Sequence, residues 1–143
     1  MPFEERHILF YLNEVAEILI ANQKVLDDYV RFNVASFTIL KVAHTSTLNR
    51  QMHEHKTAFE SVMDIPRNDN STLFYGVHKK LLQEKEVGFA VPDNIMINIF
   101  GDTCIAKGIK LPRAGHRTII SSDLAVGLKI ELSEGGLELE GSF

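Results

Sequence analysis

The sequence predicts an α+β fold, two helices packed on one mostly antiparallel β-sheet. Three observations carry this. Val15, Ile18, Leu19, Val25, Leu26 and Tyr29 recur at helical spacing. Met96, Ile97, Phe100 and Cys104 form a second helical stripe. Leu124, Val126, Leu128, Ile130 and Leu132 alternate with small or charged residues, the period of a half-buried strand.

The elements follow in order. His7 to Phe10 is a short apolar entry that suits a strand. Asn13 offers an N-cap, with Glu14 and Glu17 in the turn where the helix dipole favours acid, so the first helix is expected from about Glu14 to Val30. Asn22 interrupts its stripe. Phe37 and Ile39 alternate with Ser36 and Thr38, which predicts a strand within 33–43. Thr45 to Gln51 reads as a connection, and Thr57 to Ile65 fits a strand face or a short helix. The run Pro66-Arg-Asn-Asp-Asn70 is the clearest turn.

Residues 71–85 leave two alternatives open. A hairpin would pair Thr72–His78 with Glu86–Val91; a helix would align Leu73, Val77 and Leu81. Tyr75 and Phe74 suit a strand, and Gly76 would cost a helix about 1 kcal/mol, so the hairpin is favoured. Pro92 and Asp93 open the second helix and Gly108 ends it. Thr118–Ser121 and the strand ending at Leu132 form a last hairpin about Ser122-Asp123.

The length of 143 residues fits one domain, expected over 1–133, with 134–143 a flexible acidic tail. Hydrophobic residues make up 45% and charged residues 24%, the balance of a soluble globular protein. Cys104 is the only cysteine, so no internal disulfide forms. The start lacks the apolar region of a secretory signal, and no apolar run approaches a membrane span. The reading is a soluble cytoplasmic protein that calls for no cofactor and no membrane.

The net charge of −4 is unevenly spread: residues 107–117 hold Lys107, Lys110, Arg113 and Arg117 without an acid, leaving −8 elsewhere. An acidic protein disfavours nucleic acid as a partner. Lys107 stands in the last helical turn, where the dipole accounts for it. Lys110, Arg113, His116 and Arg117 form a candidate anion-binding set, because arginine's fork suits phosphate or carboxylate. The plainer reading is a solvated face. Cys104, on the apolar face at the C-terminal end of its helix, reads as a small core hydrophobe rather than a nucleophile.

His44, His53 and His55 are candidate metal ligands. His53 and His55 would share one face of a strand, but two histidines are not a closed site. No nucleophile elbow, phosphate loop or dinucleotide fingerprint occurs. The aromatic residues fall at core spacing, not between cations as in RNA-binding modules.

Two resemblances bear on residues 104–127. Arg113-Ala-Gly-His-Arg117, followed by Asp123-Leu-Ala-Val-Gly127, is similar to the paired signatures of PilZ domains, which bind a cyclic dinucleotide. It departs from them, since Ala125 replaces the serine, the glycine comes one residue early and the gap is shorter. Cys104-Ile-Ala-Lys-Gly-Ile-Lys-Leu-Pro-Arg113, with the opening Phe3-Glu-Glu-Arg-His7, resembles small proteins of alphaproteobacteria that have no assigned activity. That resemblance implies a bacterial intracellular protein. The leading expectation is a non-enzymatic interaction or regulatory module, pairing as a homodimer or with a protein partner through a sheet edge near the C-terminal strand. The alternative is a binder of a small phosphorylated ligand through 107–117, and the second alternative an enzyme or metal protein using the clustered histidines.

Overall fold

The computed structural model describes residues 4–48, 53–67, 70–112, 115–122 and 124–132, with the side chains of 53–55 outside that set. Helices and antiparallel strands are both present, as an α+β fold requires. Among the described residues the single sheet is corrected to two sheets of three strands, ordered β1-β6-β5 and β2-β3-β4. The strands are β1 (Glu4–Tyr11), β2 (Phe37–His44), β3 (Ser71–Lys80), β4 (Gln83–Pro92), β5 (His116–Ser122) and β6 (Ala125–Leu132). β2 runs beside β5, but the backbone N–H of His44 donates to Ser121 Oγ at 2.9 Å rather than to a ladder carbonyl. Alternation along a strand reports its faces and not its neighbours, so this break has no sequence signal.

The first helix is shorter than its stripe suggests. Glu14 accepts the Tyr11 N–H at 3.3 Å, and α1 spans Leu12–Ala21. Asn22 then turns its amide back onto Ile18 O at 2.8 Å, occupying a carbonyl that the next turn would use. The chain resumes as α2 (Gln23–Leu26) and does not reach Val30 as helix. The expected connection after β2 contains a turn of helix, α3 (Thr45–Leu48), and the ambiguous segment is partly helical, α4 (His53–Glu60).

Residues 71–92 form the hairpin, in register from Ser71↔Pro92 to Lys80↔Gln83. α5 (Asp93–Ala106) follows directly, and Gly108 ends it at φ 75°. The Gly108 N–H donates to Ile105 O and the Ile109 N–H to Cys104 O, the paired bonds of a Schellman cap.

α1 and α5 lie over the inner faces of both sheets. Phe10 stacks on Phe100 at 5.4 Å and Phe74 on Phe89 at 4.9 Å within this main core. A second cluster sits on the opposite face of β2-β3-β4, where Phe59, Val62 and Met63 cover Ala43, Leu73 and Tyr75. β3 is therefore buried on both faces from Ser71 to Gly76. The backbones approach closely at two central-strand glycines. A Cβ at Gly127 would fall 1.8 Å from Ile8 O, and one at Gly76 2.0 Å from Thr38 O.

On the outer face of the first sheet Glu5 stands opposite Glu131. Lys129 Nζ lies 3.0 Å from both carboxylates, and its hydrogen bond holds the Glu5 carboxyl below the ordinary range. Among the described residues no helix is long and apolar enough to cross a membrane. β6 is the middle strand of its sheet, flanked by the edge strands β1 and β5.

Candidate functional site: a groove between α5 and β5

The cap at Gly108 sends the chain back along α5, and residues 108–112 then form one wall of a groove of about 660 Å³. Ile97, Gly101 and Ile105 line it from the helix, and Ile109, Leu111 and Pro112 from the returning chain. Ile105 is 70% exposed, a large apolar side chain left open to solvent in this groove. Lys110 and Arg117 bring positive charge, while Asn98 and Asp102 add polar groups from the helix.

Arg117 also braces the groove. Its Nη2 donates to Pro112 O at 2.9 Å, tying β5 to the returning loop. The guanidinium lies across α5 at Gly101, where Nη1 would be 3.6 Å from a Cβ. Cys104 is buried behind this wall. Burial pushes its thiol up, and the positive charge of Arg117 opposes this with a smaller effect. A raised pKa keeps the thiol protonated at neutral pH, the state of a core residue and not of a nucleophile.

Of the four residues expected to bind an anion, Lys110 and Arg117 line the same groove. His116 is exposed at the first position of β5 and is not part of this lining, because successive strand residues point to opposite faces. Arg113 lies outside the described residues.

Of the candidate metal ligands, His44 ends β2. His53 and His55 lie on α4, a helix and not the strand considered. Their side chains lie outside the described set. His44 is buried, and both its ring nitrogens have partners. Nδ1 lies 2.6 Å from Ser46 Oγ and 3.2 Å from the Ser46 N–H, while Nε2 lies 2.8 Å from Asp93 Oδ1. The Ser46 backbone N–H donates to Nδ1, which makes that nitrogen an acceptor and assigns a neutral ring's proton to Nε2, which donates to Asp93. Among the described residues no group of three or more His, Cys, Asp or Glu side chains is placed to hold a metal.

The line Ser46–His44–Asp93 was not anticipated. Ser46 is exposed, while the imidazole and carboxylate lie behind it. Its signal was in strand register: His44 pairs with Thr72 and Thr72 with Val91, which brings Asp93 beside the end of β2. The apolar half of the groove was also missed, since Ile97 read as core.

The arrangement defines an α+β protein of two three-stranded antiparallel sheets, with an apolar, cation-edged groove beside one helix. Comparison of the chain with protein-family models, with curated proteins and with solved structures returns no match.

Proposed function

We propose that the protein binds a small amphipathic anion, with an apolar body and a carboxylate or phosphate head, in the groove between α5 and β5. One observation carries this reading: Lys110 and Arg117 share a groove walled by isoleucine, leucine and proline. Apolar walls with a few placed polar groups are the usual composition of a small-ligand site. The apolar walls would take the body, and the lysine and arginine the head. Decanoate and the matched neutral decanol, each displacing the fluorescent probe 1-anilinonaphthalene-8-sulfonate, test it. Decanoate is expected to displace the probe better than decanol. Lys110→Glu is expected to weaken decanoate about tenfold, about 1.4 kcal/mol, and to leave decanol unchanged. Equal displacement by the two compounds, or no effect of Lys110→Glu, would sink the reading. A regulatory role would rest on such a ligand.

The Ser46–His44–Asp93 line supports a second reading, acyl transfer at Ser46. A nucleophile, its base and the base's orienting carboxylate lie within hydrogen-bond reach in sequence. As Ser46 Oγ bonds the acyl carbon, its proton passes to His44 Nδ1 and then to the leaving group; Asp93 holds the imidazolium through Nε2. Water, entering with the base's help, would release the acid and restore Ser46. A fluorophosphonate probe is expected to give one adduct, mapped by mass spectrometry to Ser46. Ser46→Ala should abolish the adduct, and Asp93→Asn should slow it by at least about tenfold. An unlabelled wild-type protein would leave Ser46–His44–Asp93 as a brace between β2 and α5.

A further inference from the structure

The tip of the β3–β4 hairpin is built against the usual rules. Its two-residue loop is Leu81-Leu82, and both side chains stand in solvent, Leu81 88% exposed and Leu82 101%. Leu81 has φ 57°, while Leu82 does not share a positive φ. A positive φ at the first loop residue is the position where a hairpin turn takes glycine. A bulky leucine there is strained, and its side chain is not repaid by burial within the chain.

Cations surround this apolar point. Lys79 and Lys80 precede it and Lys85 follows it. Arg31, His78, Lys79, Lys80 and Leu81 are among the residues that line a cleft of about 390 Å³. Among the described residues Arg31, Lys79, Lys80 and Lys85 make no salt bridge. Acids lie nearby as well: Glu84 faces Lys79 across the ladder, Glu86 accepts the Tyr75 hydroxyl at 2.6 Å, and Asp27 lines a neighbouring pocket with Arg31.

We propose that this hairpin tip docks on an anionic lipid bilayer, Leu81 and Leu82 entering the acyl boundary while Arg31, Lys79, Lys80 and Lys85 meet the headgroups. Interfacial attachment combines buried apolar area with attraction to anionic lipid, and it needs no membrane-crossing segment. Each half is present here: the leucines supply area, and the open cations supply the attraction. The cleft beside Leu81 offers a seat for a headgroup phosphate. The chain as a whole is acidic, with a net charge of −4. Contact is therefore expected to be oriented, tip first, with the rest of the protein held off the surface. The surface is separate from the α5–β5 groove, so the two proposals stand or fall apart.

Co-sedimentation of the full chain with vesicles tests it, comparing phosphatidylcholine alone with phosphatidylcholine carrying about 30% phosphatidylglycerol. The anionic vesicles are expected to bind the protein at least about tenfold more tightly than the neutral ones, with binding falling as salt rises. The decisive variant is Leu81→Gly with Leu82→Asn, which suits the turn and keeps the hairpin. It is expected to lose at least about tenfold in binding while its thermal midpoint stays level or rises. Lys79→Glu with Lys80→Glu should lose as much. Wild-type protein that ignores anionic vesicles overturns the proposal and returns the tip to contact with another protein or none. Binding that survives the leucine exchange but not the lysine exchange also overturns it, since that is adsorption by charge without insertion.

Discussion

Alanine in place of Gly127 is expected to destabilise the whole molecule by about 3 kcal/mol or more. The position lies in the central strand of the first sheet, between β1 and β5. The added carbon would sit 1.8 Å from Ile8 O and 2.9 Å from Leu9 Cα, both backbone atoms. A flexible side chain can swing aside; a paired strand can move only by giving up its ladder. Since a domain's net stability is about 5–15 kcal/mol, a loss of this size would lower the urea midpoint markedly, as circular dichroism can record. Gly108→Ala is the control. Gly108 has φ 75°, and a Cβ added there would meet no atom within 4 Å, so alanine meets only the left-handed conformation, at about 1 kcal/mol. Equal losses at both sites would show that close backbone approach is not what Gly127 serves.

The second large effect is expected at Phe59 and should be local. Its ring is fully buried and lies 6.2 Å from Tyr75 in the smaller cluster. Truncating a buried phenylalanine costs about 3–5 kcal/mol. Phe59→Ala is expected to free α4 from the outer face of β2-β3-β4 while leaving the main core closed. Hydrogen exchange should then speed up in residues 57–63 far more than in α1 or β6. Uniform acceleration across the chain would show instead that the small cluster supports the entire fold.

How much was legible depended on how many faces each element buries. In the second half of β6, Leu128, Ile130 and Leu132 are buried while Lys129 and Glu131 face partly outward, so its alternation reads directly. β3 is covered on both faces, Phe74 by the main core and Leu73 and Tyr75 by the small one, and its apolar run fits helix and strand alike. Gly76 tilted that choice the right way, and the structure adds a steric reason, since Thr38 O occupies the place of its Cβ. α1 was read too long because Asn22 breaks it through a bond to Ile18 O, and asparagine's polarity alone does not announce that bond. At the candidate site, Lys110 and Arg117 were found from charge. The division of His116 from Arg117 follows from strand alternation and needed only the start of β5. Ser46, His44 and Asp93 meet through two strand pairings, which residue types alone do not disclose.

The pairing of β1 with β6 also sets an order of events. Tyr11 pairs with Ala125 and Glu4 with Leu132, so this ladder joins residues more than 100 positions apart. The β3–β4 hairpin closes on itself through a two-residue loop. Local contacts form early and distant ones late, because loop closure must be paid before a distant contact returns anything. At about 5–20 residues per second on the ribosome, β1 waits on the order of 10 s for its partner to be made. Throughout that interval Ile8, Leu9 and Phe10 lack the ladder partner that β6 will supply. An unpaired strand of this kind is a template for a neighbouring chain. The time of greatest exposure to aggregation thus falls during synthesis, before the second strand of that ladder exists.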